Sequence, residues 1–133
     1  MKTIDLSSAS VRELNQTLHG EVQDREWVVT HPDGKHNLAV GLNQAVSIDI
    51  QGHAGYYCAG MNQKASITVH GNVGVGVAEN MMSGSVRVKG SASQAAGATA
   101  HGGLLVIDGD AGARCGISMK GVDIVVGGSI GHM

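Results

Sequence analysis

Ser47-Ile-Asp-Ile-Gln-Gly52, Ser66-Ile-Thr-Val-His-Gly71, Ser85-Val-Arg-Val-Lys-Gly90, Leu104-Leu-Val-Ile-Asp-Gly109 and Asp123-Ile-Val-Val-Gly-Gly128 are five versions of one phrase. Their closing glycines, Gly52, Gly71, Gly90, Gly109 and Gly128, are evenly spaced at 19, with no insertion or deletion. A constant period of this size marks a solenoid, in which each repeat buries its apolar face against the next.

Within each phrase the apolar residues alternate with period two, as in a half-buried strand. One column reads Ile48, Ile67, Val86, Leu105, Ile124 and the next but one reads Ile50, Val69, Val88, Ile107, Val126. Both are aliphatic and mostly β-branched, which suits strands. Asp49, Thr68, Arg87, Gln51, His70, Lys89 and Asp108 fall on the other, solvent-facing side. A second glycine usually follows the first at a fixed distance, as in Gly52/Gly55, Gly71/Gly74, Gly109/Gly112 and Gly128/Gly131. Glycine reaches backbone angles that other residues avoid, so the pair is expected to mark a recurrent corner. Beyond it, the columns Ala54, Val73, Ala92, Ala111, Ile130 and Ala59, Ala78, Gly97, Gly116 hold mostly small residues, and no Phe occurs anywhere. Together these imply a narrow interior. One repeat per layer, with all strands running the same way, is an all-β parallel β-helix. A helical repeat would need a longer period and amphipathic helices.

Residues 46–133 are therefore expected to form the β-helix and residues 1–45 an N-terminal cap. In that cap Lys2 to Leu6 weakly signals a strand. Ser10 and Glu13 make a capping box before Val11, Leu14 and Leu18, predicting one helix of about eight to ten residues that ends near Gly20. Trp27-Val-Val-Thr30 reads as a strand, Pro32-Asp-Gly34 as a turn, and Leu38-Ala-Val-Gly-Leu42 as a further apolar run. The sequence stops at Gly131-His-Met133, inside the corner of its fifth coil, so the β-helix is expected to continue past residue 133 or to be covered by another chain.

Composition narrows the function. The net charge of −2 and the scarcity of aromatic residues leave neither a basic patch nor a stacking platform for nucleic acid. No apolar run is long enough to span a membrane, and Met-Lys-Thr-Ile-Asp lacks a signal peptide's apolar core, which makes the cytoplasm the default expectation. Cys58 and Cys115 share a column three layers apart, a separation of about 14 Å at strand spacing. A disulfide cannot reach that far. Their column-mates are Val77 and Ala96, so both read as small buried hydrophobes rather than catalytic thiols.

Chemistry-bearing motifs are sparse. Gly71-Asn-Val-Gly-Val-Gly76 suggests a dinucleotide fingerprint, but Glu79 stands where its last glycine belongs and no amphipathic helix follows. His31 and His36 flank a turn, while His53, His70, His101 and His132 fall in four different columns, without the spacing of a metal-ligand set. Met61, Met81, Met82 and Met119 could line a contact surface or fill the core. Asp24, Glu26, Asp33 and Glu79 define no acid–base couple. From the residues alone the expected catalytic, cofactor and metal sites are none.

The stretches Gly52-His-Ala-Gly-Tyr-Tyr-Cys-Ala-Gly60 and Gly71-Asn-Val-Gly-Val-Gly-Val77 resemble the GXGXG domain family. That family includes the C-terminal domain of the glutamate synthase large subunit and a subunit of formylmethanofuran dehydrogenase. His36-Asn-Leu-Ala-Val-Gly-Leu42, Ala78-Glu-Asn-Met-Met-Ser-Gly84, Ala98-Thr-Ala-His-Gly-Gly103 and Arg114-Cys-Gly-Ile-Ser-Met-Lys-Gly121 are more specific. They resemble the stand-alone GXGXG subunit of methylamine–glutamate N-methyltransferase, or N-methylglutamate synthase. The resemblance covers nearly the whole chain. It implies a right-handed parallel β-helix and a structural role, with no catalytic residue to carry over. It also implies two partners: a class II amidotransferase-like subunit, and a glutamate-synthase-like subunit that binds FMN, with or without an iron–sulfur cluster. The full Gly-x-x-Gly-x-Gly spacing occurs only at Gly71, Gly74 and Gly76; after Gly90 the second glycine is replaced by Ser93. The alternatives are the equivalent part of a glutamate synthase-like or formylmethanofuran dehydrogenase complex and, in another class, a hexapeptide-type β-helix acyltransferase. The last builds each coil from three hexapeptides and needs a catalytic histidine. The period found here is longer than three hexapeptides, which counts against it.

Overall fold

The computed structural model describes residues 1–131. Seven strands form one parallel sheet in chain order. They are β1 (Lys2–Asp5), β2 (Glu26–Thr30), β3 (Ser47–Gln51), β4 (Ser66–Val69), β5 (Ser85–Val88), β6 (Leu104–Ile107) and β7 (Asp123–Val126), with one helix, α1 (Val11–His19), between the first two. From β3 onward each strand residue pairs with its equivalent in the next repeat, as in Ile48↔Ile67, Ile67↔Val86, Val86↔Leu105 and Leu105↔Ile124. The expected β-helix is thus a parallel β-solenoid, and both aliphatic columns face its interior. They are buried from Ile48 and Ile50 through Leu105 and Ile107, and half-buried at Ile124 and Val126. Full burial of such a side chain contributes about 1.5–3 kcal/mol, so stacked columns supply the main driving force.

The stack also begins earlier than Val46. β2 pairs with β3 through Trp27↔Ile48, and β1 pairs with β2 through Lys2↔Trp27, both at wider offsets than the later period. Residues 26–45 therefore form a coil of their own, so the expected cap of residues 1–45 is only partly a cap. Extra residues broke the period there. Thr30 pairs with Gln51, yet Asn37 and Tyr57, one position closer in sequence, are equivalent left-handed residues.

What caps this coil is α1. Its capping box is formed, with the Glu13 N–H donating to Ser10 Oγ (3.0 Å) and the Ser10 N–H to Glu13 Oε1 (3.4 Å). Leu14 and Leu18 are fully buried. The Asn15 side chain donates to the Asn37 carbonyl (2.8 Å) and accepts the Val40 N–H (3.2 Å), as a peptide group of a preceding coil would. His19 Nε2 reaches the Val40 carbonyl (2.7 Å), and Gln44 Nε2 donates to the Leu18 carbonyl (2.8 Å).

Gly52 adopts the positive φ expected of a corner glycine (142°), but most corner glycines have a different cause. Gly71, Gly74, Gly90, Gly109, Gly112 and Gly128 do not adopt positive φ. At each of them the previous coil crowds the space a Cβ would need, although Ser93 carries one in the column of Gly74 and Gly112. A Cβ on Gly74 would lie 2.9 Å from the Gly55 carbonyl carbon, and one on Gly112 would lie 2.8 Å from that of Ser93. Positive φ occurs instead in the turn run opposite the sheet, three times per coil and mostly at other residues. Examples are Tyr57, Ala59 and Met61 (φ 59°, 58° and 52°), then Gly76, Ala78 and Asn80 (79°, 54° and 58°). A left-handed residue with a Cβ costs about 1–2 kcal/mol. Each of these six residues makes an N–H bond to a neighbouring coil, in alternating directions, which offsets that cost where a Cβ is present. Tyr57 and Met61 donate forward to the carbonyls of Val75 and Glu79 (both 2.8 Å), and Ala59 donates back to Leu38 (2.9 Å). Gly76 and Asn80 donate forward to Gln94 and Ala98, and Ala78 back to Cys58.

Candidate functional site

Side chains at the corner after each strand form a staircase. His53 Nδ1 accepts the Asn72 N–H (2.9 Å), and Asn72 Oδ1 accepts the Ser91 N–H (2.8 Å). Ser91 Oγ accepts the Asp110 N–H (3.0 Å), and Asp110 Oδ1 accepts the Ser129 N–H (2.8 Å). One position in the repeat therefore carries His, Asn, Ser, Asp and Ser, united only by having an acceptor within reach. The same side chains fill the Cβ space of the adjoining glycines: a Cβ on Gly90 would meet Asn72 Oδ1 at 2.2 Å, and one on Gly109 would meet Ser91 Oγ at 2.4 Å. Sequence reading missed this column because the residues differ in charge and size.

The histidines are mostly committed to such bonds. His36 Nδ1 accepts the Tyr56 N–H (2.8 Å), and its ring stacks on Tyr56 with centroids 4.3 Å apart. His70 Nε2 lies 3.2 Å from Asp49 Oδ1, and His31 Nδ1 lies 2.9 Å from Asp5 Oδ1. His101 is exposed, and His132 lies outside the described residues. Among the described residues no three His, Cys, Asp or Glu side chains converge as a metal site would require.

The thiols lie where their columns placed them. Cys58 is fully buried, and burial pushes its pKa up to about 12; Cys115 is half-buried, and burial raises it too. A thiol so raised is a poor nucleophile. The methionines divide, with Met81 in the core and Met61, Met82 and Met119 exposed. The one fully buried polar side chain among the described residues, Asn62, bonds both backbone groups of Ala65 (2.8 and 3.1 Å) and closes a turn.

Two polar arrangements lie on the surface. On the turn run, Asn80 Nδ2 donates to Tyr57 Oη (3.2 Å) and its Oδ1 accepts from the Thr99 hydroxyl, which links three coils. At the first corner, Thr30, His31, Asp33, Gln51 and His53 line an open depression of about 660 Å³. It lies where coil one carries an extra residue, and His31 and Asp33 have positive φ there (55° and 47°). Asp5, beside it, accepts from the Ser7 hydroxyl (2.7 Å), the Ser7 N–H (2.9 Å) and His31. The Ser7 bonds foremost, and His31 after them, bring its pKa down to about 2.

Among the described residues no helix is long and apolar enough to cross a membrane. The architecture defines a class: a parallel β-solenoid whose corner side chains staple each coil to the next. No protein-family model matches the chain, and no solved structure does. The chain is similar to Protein GlxC of Rhizobium meliloti (strain 1021), with 57% identity over 62 residues. The matched stretch is 44% of this chain and 27% of GlxC, so the chain spans about a quarter of the length of that relative.

Proposed function

We propose that this chain is a non-catalytic solenoid subunit of a glutamate-synthase-related complex, specifically an N-methylglutamate synthase. That enzyme converts methylamine and L-glutamate to N-methyl-L-glutamate and ammonia. The observation that carries this reading is how the polar residues are used: His53, Asn72, Ser91 and Asp110 each bond a backbone N–H of the next coil. Side chains committed in this way hold a scaffold together. The sequence resemblance to the GXGXG subunit supplies the particular complex, and the partial likeness to GlxC supplies a relative whose name states no activity. The chemistry then belongs to an amidotransferase-like partner and to a partner carrying FMN.

The test is reconstitution. The chain is produced alone and together with an amidotransferase-like and an FMN-binding subunit of such a synthase, and N-methylglutamate formation is followed. Turnover is expected from the three-part assembly only. Turnover by this chain alone, or undiminished turnover by the two partners without it, would overturn the proposal.

A further inference from the structure

The first corner departs from every other corner in the stack. Thr30 pairs with Gln51, so His31 stands in the column otherwise held by Gly52, Gly71, Gly90, Gly109 and Gly128. In the later coils a staircase side chain beneath the glycine excludes a Cβ, as His53 does at Gly71 and Asn72 at Gly90. Coil one is free of that constraint, and the position carries an imidazole held by a carboxylate.

The hydrogen bonds assign the tautomers of both imidazoles in the depression. Ionised Asp5 can only accept, so His31 Nδ1 carries the proton that it donates, leaving Nε2 as the remaining ring nitrogen. His53 is reversed: Nδ1 accepts the Asn72 N–H, so the proton lies on Nε2. Both rings line one depression, together with Thr30 and Gln51, and in their neutral forms their Nε2 positions are of opposite kind: a bare nitrogen on His31 and an N–H on His53. The depression's volume of about 660 Å³ falls in the range of small-molecule sites. The geometry points to a binding site for a small ligand with adjoining donor and acceptor groups, of which the primary carboxamide is the simplest. A carboxylate fits less well, because it offers no donor to His31 and sits near Asp5 and Asp33.

The test uses the full chain, labelled with ¹⁵N at its imidazoles, at mildly alkaline pH. Long-range ¹H–¹⁵N spectra are expected to show the proton of His31 on Nδ1 and that of His53 on Nε2. Titration with propionamide should then shift both rings saturably, and propionate of the same shape should bind at least about tenfold more weakly. His31→Phe should abolish the response while the Asn72 amide signal stays in place. If that variant fails to fold, Asp5→Ala, which releases the tautomer, should weaken propionamide binding instead. The opposite tautomer at either ring, no saturable shift, equal binding of propionate, or a response unchanged in both variants would overturn the inference. Because the reconstitution above does not involve this depression, either proposal can fail without the other.

Discussion

The corner after each strand and the turn run opposite the sheet use glycine in contrary ways. Gly71, Gly74, Gly90 and Gly112 have φ values open to any residue, yet each would drive a Cβ into the coil before it. Tyr57, Ala59, Met61, Ala78 and Asn80 have left-handed φ values and nevertheless carry side chains. In the corner the neighbouring layer decides what fits. In the turn run, N–H bonds to both neighbouring layers hold a conformation that each residue resists on its own. A recurrent glycine in a solenoid can thus report crowding between layers, and a recurrent left-handed backbone can lack glycine.

The largest effect should come from Gly74→Ala. Its Cβ would meet the Gly55 carbonyl, carbon at 2.9 Å and oxygen at 3.0 Å, and backbone cannot rotate aside as a side chain can. Overpacking costs about 1–3 kcal/mol and sometimes more; this change is expected at or above the upper end, read by denaturant unfolding. Near-parent stability would show that the coils can spread and that crowding is not what selects glycine.

Ala78→Leu tests the turn run from its inner side. Ala78 is fully buried at φ 54°, and a leucine there should cost about 1–3 kcal/mol. An unchanged melting temperature would mean that this column yields where the corner does not. His53→Ala should cost less, about 0.5–1.5 kcal/mol, since it removes one acceptor at an exposed corner. His53→Asn should restore most of that loss, because Asn72 fills the same role one coil later. Equal losses in the two variants would show that ring packing, and not the acceptor, matters at this step.

The smallest effect should be a gain. Ser118 is exposed at φ 56°. Ser118→Gly relieves about 1–2 kcal/mol of left-handed strain and adds about 0.5–1 kcal/mol of chain entropy in the unfolded state. A net stabilisation of about 0.5–1 kcal/mol is expected, visible as a raised melting temperature. A loss of similar size would show that the backbone here is unstrained and would erase the contrast between the two regions.

How much of this was legible depended on what leaves a mark in side chains. The aliphatic columns fixed the parallel stack and its register from Ile48 to Ile124, because burial selects residue type directly. The capping box located α1 because its hydrogen bonds are made by the side chains of Ser10 and Glu13. Left-handed φ left no such mark, since Tyr57, Ala59 and Met61 share nothing but a backbone angle. Coil one was hidden because the steps from Lys2 to Trp27 and from Trp27 to Ile48 break the period. The pairing of Asp5 with His31 was illegible with it, as only the β1–β2 register brings them together. The glycines were noticed, but their cause lies in a neighbouring layer that the local sequence does not describe.

The staircase has a direction: every acceptor side chain precedes its donor N–H along the polypeptide, by one full repeat in each step from His53 to Ser129. During synthesis each docking group therefore leaves the ribosome before the segment it will hold. The coil covered by α1 emerges before the coils that stack on it and offers an edge onto which each later coil can settle with only short-range loop closure. Growth of this kind proceeds in the order of translation, and an unfinished chain exposes one growing edge at a time, which limits the surface open to misassociation.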